Sequence, residues 1–154
     1  MIRVPFKIDL DADKREESKD VSEKSIKGMH VLLAEDNELN MEIAEFLLQN
    51  EGAEVTKAWN GQEIVELFRK SEAGEFDVIL MDIMMPIING YEAAKRIRSL
   101  DREDAKKIPI IAMTANAFTE DRIRAKEAGM DEHVAKPIDV ELLIKVIHKL
   151  VKHN

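Results

Sequence analysis

With 154 residues, 45% of them apolar and 35% charged, the chain has enough hydrophobic material for one ordinary domain plus a tail. Its net charge of −8 argues against nucleic-acid binding, and no apolar run is long enough for a membrane span. The absence of cysteine excludes disulfides and thiolate metal sites and, with no secretory h-region at the amino terminus, leads us to expect a cytoplasmic location without direct membrane contact.

Residues 1–28 are expected to be a linker. Arg3 to Leu10 alternates weakly, like an edge strand without its sheet, and Asp11 to Lys27 is almost all charged or small. The segment carries seven Lys/Arg and seven Asp/Glu, so the whole net charge belongs to 29–154, the expected domain. So polar a stretch buries too little surface to offset its ordering entropy.

From Met29 a regular alternation begins. Val31-Leu32-Leu33-Ala34 reads as a buried strand ending at Glu35-Asp36. Leu39 to Gln49 reads as a helix with Leu39, Ile43, Ala44, Leu47 and Leu48 inward, stopped by Gly52. Ala53 to Trp59 has the weaker pattern of an edge strand. Asn60 is expected to cap a helix running to about Lys70, with Ile64, Val65 and Phe68 inward. The run from Phe76 to Asp82 is continuously apolar before its aspartate, as in a strand buried on both faces, and Pro86 and Asn89-Gly90 break it. A helix from about Gly90 to Leu100, a strand from Ile108 to Met113 and a helix from Thr119 to Ala128 follow. A short strand over His133-Val134-Ala135 and a last helix capped by Asp139, with Leu142, Leu143, Val146, Ile147 and Leu150 inward, complete the series. Five strands alternating with five helices predict an α/β fold: a flavodoxin-like, doubly wound parallel sheet of order 2-1-3-4-5 with helices on both faces.

In such a sheet the strand carboxyl ends share one rim. The first strand delivers Glu35 and Asp36 there, the third Asp82, the fourth Thr114, and the fifth Lys136 before Pro137. Three carboxylates in one crevice repel one another unless a cation joins them, and oxygen-only ligation suits Mg²⁺, with Mn²⁺ as the alternative. Beside a hydroxyl and an ammonium, such an ion is equipment for stabilising a phosphoryl group in transfer, and an aspartate can itself be the nucleophile. The Lys136-Pro137 peptide is expected to be cis, since proline lowers the cost of that isomer to about 0.5–1 kcal/mol.

The stretches Val31-Leu32-Leu33-Ala34-Glu35-Asp36-Asn37, Met81-Asp82-Ile83-Met84-Met85-Pro86 with Asn89-Gly90, Pro109 to Ala115, and Ala135-Lys136-Pro137 carry a resemblance. Together they make Met29 to about Lys152 resemble the receiver domain of two-component response regulators, in the form attached to hybrid sensor histidine kinases. The resemblance implies a phosphorelay module in which Asp82 accepts a phosphoryl group from a phosphohistidine. It implies that Asp36, Asp82 and the Met84 carbonyl hold Mg²⁺, with Glu35 acting through water, and that Thr114 and Lys136 bind the phosphoryl oxygens. The implied partners are a histidine kinase as phosphohistidine donor and a His-containing phosphotransfer protein. The only reactions implied are the domain's own phosphorylation and dephosphorylation. Arg3 to Asp9 resembles the closing strand of a kinase ATP-binding domain, so the parent is expected to be a histidine kinase, which can be membrane-anchored elsewhere. Two positions depart from the family pattern: Asn89 stands where Asp is usual, and His133 where an aromatic switch residue is usual.

Two other classes compete. A Mg²⁺-dependent phosphohydrolase with an Asp nucleophile would want a second Asp two residues after Asp82, where Met84 stands. A flavin carrier on the same fold would want a Ser/Thr/Gly-rich loop after the first strand, and Glu35-Asp36-Asn37-Glu38 would repel a phosphate there.

Overall fold

A computed structural model of the chain describes residues 26–115 and 119–152. The expected edge-strand remnant at Arg3–Leu10 and the charged stretch up to residue 25 lie outside the described residues. Five strands, β1 (His30–Ala34), β2 (Glu54–Ala58), β3 (Val78–Asp82), β4 (Ile110–Thr114) and β5 (Glu132–Ala135), form one parallel sheet in the order β2-β1-β3-β4-β5. Among the described residues six helices connect or follow them: α1 (Glu38–Asn50), α2 (Gly61–Lys70), α3 (Gly90–Arg98), α4 (Glu103–Lys107), α5 (Thr119–Glu127) and α6 (Val140–Lys152).

Successive strand residues point to opposite faces, so the central strands build two cores at once. Leu32, Ile79, Met81 and Ile110 face α2, α3 and α5, meeting Ile64, Phe68, Tyr91, Ile97 and Ala125. Val31, Leu33, Val78, Leu80 and Ile111 face α1 and α6, meeting Met41, Leu48, Leu143 and Ile147. Every residue of β3 and β4 is buried, which is why their sequences read as unbroken apolar runs.

The helix entries follow local chemistry. Asn37, Asn60 and Asn89 each accept a hydrogen bond from the backbone N–H three residues on, at 2.9, 2.7 and 2.9 Å. Asp139 caps α6, accepting from Glu141 N, two residues on, at 3.1 Å and from Leu142 N, three residues on, at 3.4 Å. Gly52 and Gly129 follow α1 and α5 with φ of +93° and +100°. The Lys136-Pro137 peptide is cis, as expected.

Three expectations change. The inward face of α1 is Met41, Ala44 and Leu48, whereas Leu39 and Ile43 are exposed. At about 100° per residue the stripe through 39, 43 and 46 lies nearly opposite the stripe through 41, 44 and 48, so α1 is apolar on two sides and periodicity alone does not choose between them. On α6, Leu142 is likewise exposed while Leu143 and Ile147 are buried. The single-turn α4 has no periodicity to announce it. It buries only Ala105, whose carbonyl accepts from Arg98 Nη1 at 3.0 Å.

Packing also reaches back past residue 28. Ile26 is fully buried in the α1/α6 core, its carbonyl accepts from Met29 N at 3.0 Å, and Gly28 N donates to Gly52 O at 2.9 Å.

Candidate functional site

The sheet register decides what meets at the carboxyl end. Ala34 lies beside Met81, Asp82 beside Met113, and Thr114 beside Ala135. Glu35 therefore emerges level with Asp82, and Thr114 and Lys136 emerge on the next strands along. Glu35, Asp82 and Thr114 are 2%, 3% and 8% exposed, whereas Asp36 is open to solvent. Carboxylate oxygens of Glu35, Asp36 and Asp82 all lie within 4.8 Å of one another.

One ammonium serves two of these acids. Lys136 Nζ lies 3.0 Å from Glu35 Oε1 and 3.0 Å from Asp82 Oδ2. The other oxygens take backbone donors: Asn37 N reaches Glu35 Oε2 at 3.1 Å and Met84 N reaches Asp82 Oδ1 at 3.2 Å. Burial pushes the Asp82 carboxyl up to about 6, with the Glu35 charge adding to it, while Lys136 and the Met84 amide pull the other way. For Lys136, burial favours loss of the proton, but the bonds to Glu35 and Asp82 outweigh it and hold its pKa above the ordinary lysine value.

Three converging carboxylates against one ammonium leave a local excess of negative charge, and every donor is an oxygen. That set fits a hard divalent cation of the Mg²⁺ type. The structure thus brings together the residues expected at the rim: Glu35, Asp36, Asp82, Thr114 and Lys136. Met84 lies two residues beyond Asp82 with its side chain 76% exposed.

His133 lies apart from them. It is half-buried on the edge strand β5, in a hollow shared with Arg122, Lys126, Asp131 and Glu132, its Nδ1 3.9 Å from Glu132 Oε1.

The sequence reading placed Leu39 and Ile43 in the core. With Phe46 they form an exposed apolar stripe that starts beside the acids, 65%, 48% and 66% exposed. Ile43 also borders a small hollow with Glu35, Asn40, Lys136, Pro137 and Ile138. The available signal was the i, i+4, i+7 spacing on the side of α1 opposite Met41.

The model of the response regulator receiver domain matches residues 31–148. This chain belongs to the receiver family. The receiver is 40% identical over 120 residues to hybrid signal transduction histidine kinase I of Dictyostelium discoideum, which covers 77% of this chain. It spans only 7% of that relative, and 13% of Histidine kinase 1 from Arabidopsis thaliana. Among solved structures, the receiver domain of a sensor histidine kinase from Pseudomonas aeruginosa superposes with a TM-score of 0.73 at 34% identity, over 81% of this chain and 98% of that one. That receiver holds a magnesium ion in its active-site cleft. A second match, with a TM-score of 0.71 at 29% identity, covers 82% of this chain and 90% of the other. It comes from the Saccharomyces cerevisiae complex of the histidine phosphotransfer protein Ypd1 with the receiver domain of the response regulator Ssk1. The receiver is thus a two-component signalling domain of the kind that hybrid histidine kinases carry. Among the described residues no helix is long and apolar enough to cross a membrane.

Proposed function

We propose that Asp82 is the phosphoacceptor and that its donor is a phosphohistidine on a partner protein. The observation that carries this reading is one nearly buried carboxylate within 4.8 Å of two others and 3.0 Å from a lysine. In the transfer, an Asp82 oxygen attacks phosphorus, the phosphorus–nitrogen bond breaks, and the imidazole leaves with the electron pair and takes up a proton. Asp36, Asp82 and the Met84 carbonyl would hold Mg²⁺, or Mn²⁺ in its place, with Glu35 acting through water. When bound, the ion supplies positive charge against the phosphoryl oxygens. Lys136, already bridging Glu35 and Asp82, would turn to a phosphoryl oxygen, and the Thr114 hydroxyl would bind another. Dephosphorylation is attack by water on the same phosphorus, with Asp82 as leaving group. A dedicated phosphohydrolase is not favoured, because Met84, with no acid-base group, stands where a general acid would be wanted.

The proposed partners are a histidine kinase and a His-containing phosphotransfer protein. The exposed stripe Leu39, Ile43 and Phe46 supports a protein partner, since a helix apolar on two sides normally has both covered. Residues 1–28 would connect the receiver to an upstream kinase ATP-binding domain, and the location would be cytoplasmic.

Intact-mass measurement after incubation with acetyl phosphate and Mg²⁺ tests the assignment. One added phosphoryl group is expected, absent in Asp82→Asn and absent in EDTA. A modified Asp82→Asn protein, or equal modification in EDTA, would refute it.

A further inference from the structure

We infer that Gly61, at the entry of α2, is a positioning residue for the acid cleft: its backbone sets where the loop carrying Met84 lies. The inference rests on the reading of Glu35, Asp36, Asp82 and the Met84 carbonyl as a Mg²⁺ site. The chain has six glycines. Gly28, Gly52, Gly74 and Gly129 have positive φ, a conformation that glycine takes readily and other residues do not. Gly61 and Gly90 lie outside that region, so their backbones demand no glycine. Glycine is also a weak helix former, yet each of the two opens a helix.

Space demands it instead. A Cβ on Gly61 would lie 2.1 Å from Ile88 O and 2.9 Å from Ile88 C, backbone atoms that cannot swing aside. A Cβ on Gly90 would lie 2.5 Å from Asp82 O and 2.9 Å from Ile83 Cα. Both contacts bear on one stretch, residues 82–90, which holds Met84. Gly90 N donates to Ile83 O at 2.8 Å and shuts the neck of this loop, and Met84 N donates to Asp82 Oδ1 at 3.2 Å. With the neck shut, a push on Ile88 passes to Met84 and Asp82 instead of being absorbed between them.

The α2 entry is stiff enough to deliver that push. Asn60 Oδ1 accepts from Glu63 N at 2.7 Å, and Glu63 Oε1 reaches back to accept from Trp59 N at 2.7 Å. One residue earlier, Ala58 O accepts from Glu35 N at 3.0 Å. The four residues 58–61 thus touch both walls of the cleft, Glu35 through Ala58 and the Met84 loop through Gly61. They set the spacing of those walls, and Mg²⁺ tolerates little error in the spacing of its ligands.

The test titrates metal-free wild type, Gly61→Ala, Asn60→Ala and Ile88→Ala with Mg²⁺ by calorimetry and records each melting temperature in EDTA. Gly61→Ala is expected to raise the Mg²⁺ Kd roughly ten-fold, as for other groups that hold metal ligands in place. Asn60→Ala removes only a cap, keeps the fold, and should raise the Kd about three-fold. Ile88→Ala deletes side-chain atoms beside Gly61 but leaves the backbone contact. It should melt lower than wild type and bind Mg²⁺ within about two-fold of it. The shortfall of Gly61→Ala in phosphorylation by acetyl phosphate should shrink as Mg²⁺ is raised. The inference is overturned if folded Gly61→Ala, or Asn60→Ala, binds Mg²⁺ as wild type does. It is also overturned if Ile88→Ala weakens binding as much as Gly61→Ala, or if the phosphorylation shortfall is the same at every Mg²⁺ concentration. A wild type that binds no Mg²⁺ would mean that the metal-site reading itself has failed, and the role of Gly61 falls with it.

Discussion

Taking the Asp82 carboxylate out of water beside Glu35 raises the energy of its ionised form, and Lys136 offsets this only in part. The folded pKa of about 6 lies above the unfolded value near 4, so between those pH values the folded protein binds more protons than the unfolded one. The Asp82 contribution is therefore fully present below about pH 4 and is lost as pH rises through 6. In EDTA at pH 7, Asp82→Asn is expected to be more stable than wild type by roughly 1–3 kcal/mol, and the advantage should disappear near pH 4. Denaturant melts of the two proteins at both pH values check this, and a constant difference would contradict it. Millimolar Mg²⁺ should raise the wild-type melting temperature at pH 7 and do less for Asp82→Asn, because an ion that binds the ionised acids stabilises the fold that gathers them. The rim residues were legible in the sequence because a parallel sheet turns strand ends into neighbours. That Lys136 ties Glu35 to Asp82, and that the Asn37 and Met84 amides hold the other oxygens, depends on loop geometry that no spacing encodes.

Strands and helix entries were readable wherever one local signal sufficed. β3 and β4 are buried on both faces and so are continuously apolar, and the asparagine caps sit where their side chains have a backbone amide to accept from. Helix α1 defeated the reading because it has two apolar stripes and only the tertiary fold decides which one meets the sheet. The exposed stripe yields a prediction of its own. Phe46→Ser should leave stability within about 0.5 kcal/mol, as for most surface positions, because Phe46 is 66% exposed, whereas Leu48→Ala on the opposite side should cost about 2–5 kcal/mol. Equal losses in chemical denaturation would mean that the stripes are assigned the wrong way round. The start of α3 is tighter still. Gly90→Ala should destabilise by about 1–3 kcal/mol and slow phosphorylation by acetyl phosphate, since the new Cβ would press on the carbonyl of Asp82 itself.

Across the whole molecule, the expected order 2-1-3-4-5 is the observed one, because alternating strands and helices with right-handed crossovers leave few other arrangements. The amino-terminal limit was not readable. Ile26 stands between Ser25 and Lys27 in a charged stretch, and one apolar residue makes no pattern, yet it fills a fully buried position against the α1/α6 core. A protein beginning at Met29 should therefore melt lower than one beginning at residue 20, and Ile26→Ala should cost about 2–5 kcal/mol. Matching melting curves for the two lengths would show that Ile26 adds nothing. The Ile26–Met29 turn closes at the amino-terminal end of the sheet, beside Gly52 ahead of β2, while the acids crowd the opposite end. The chain thus enters the receiver at one pole and presents its acids at the other. Five-residue strands separate the poles by about 16 Å, so anything joined ahead of Ile26 reaches the acids only by running some five extended residues up the flank. A protein arriving from solution would meet the pole of the acids directly, whereas one joined ahead of Ile26 would have to be carried round the fold to reach it.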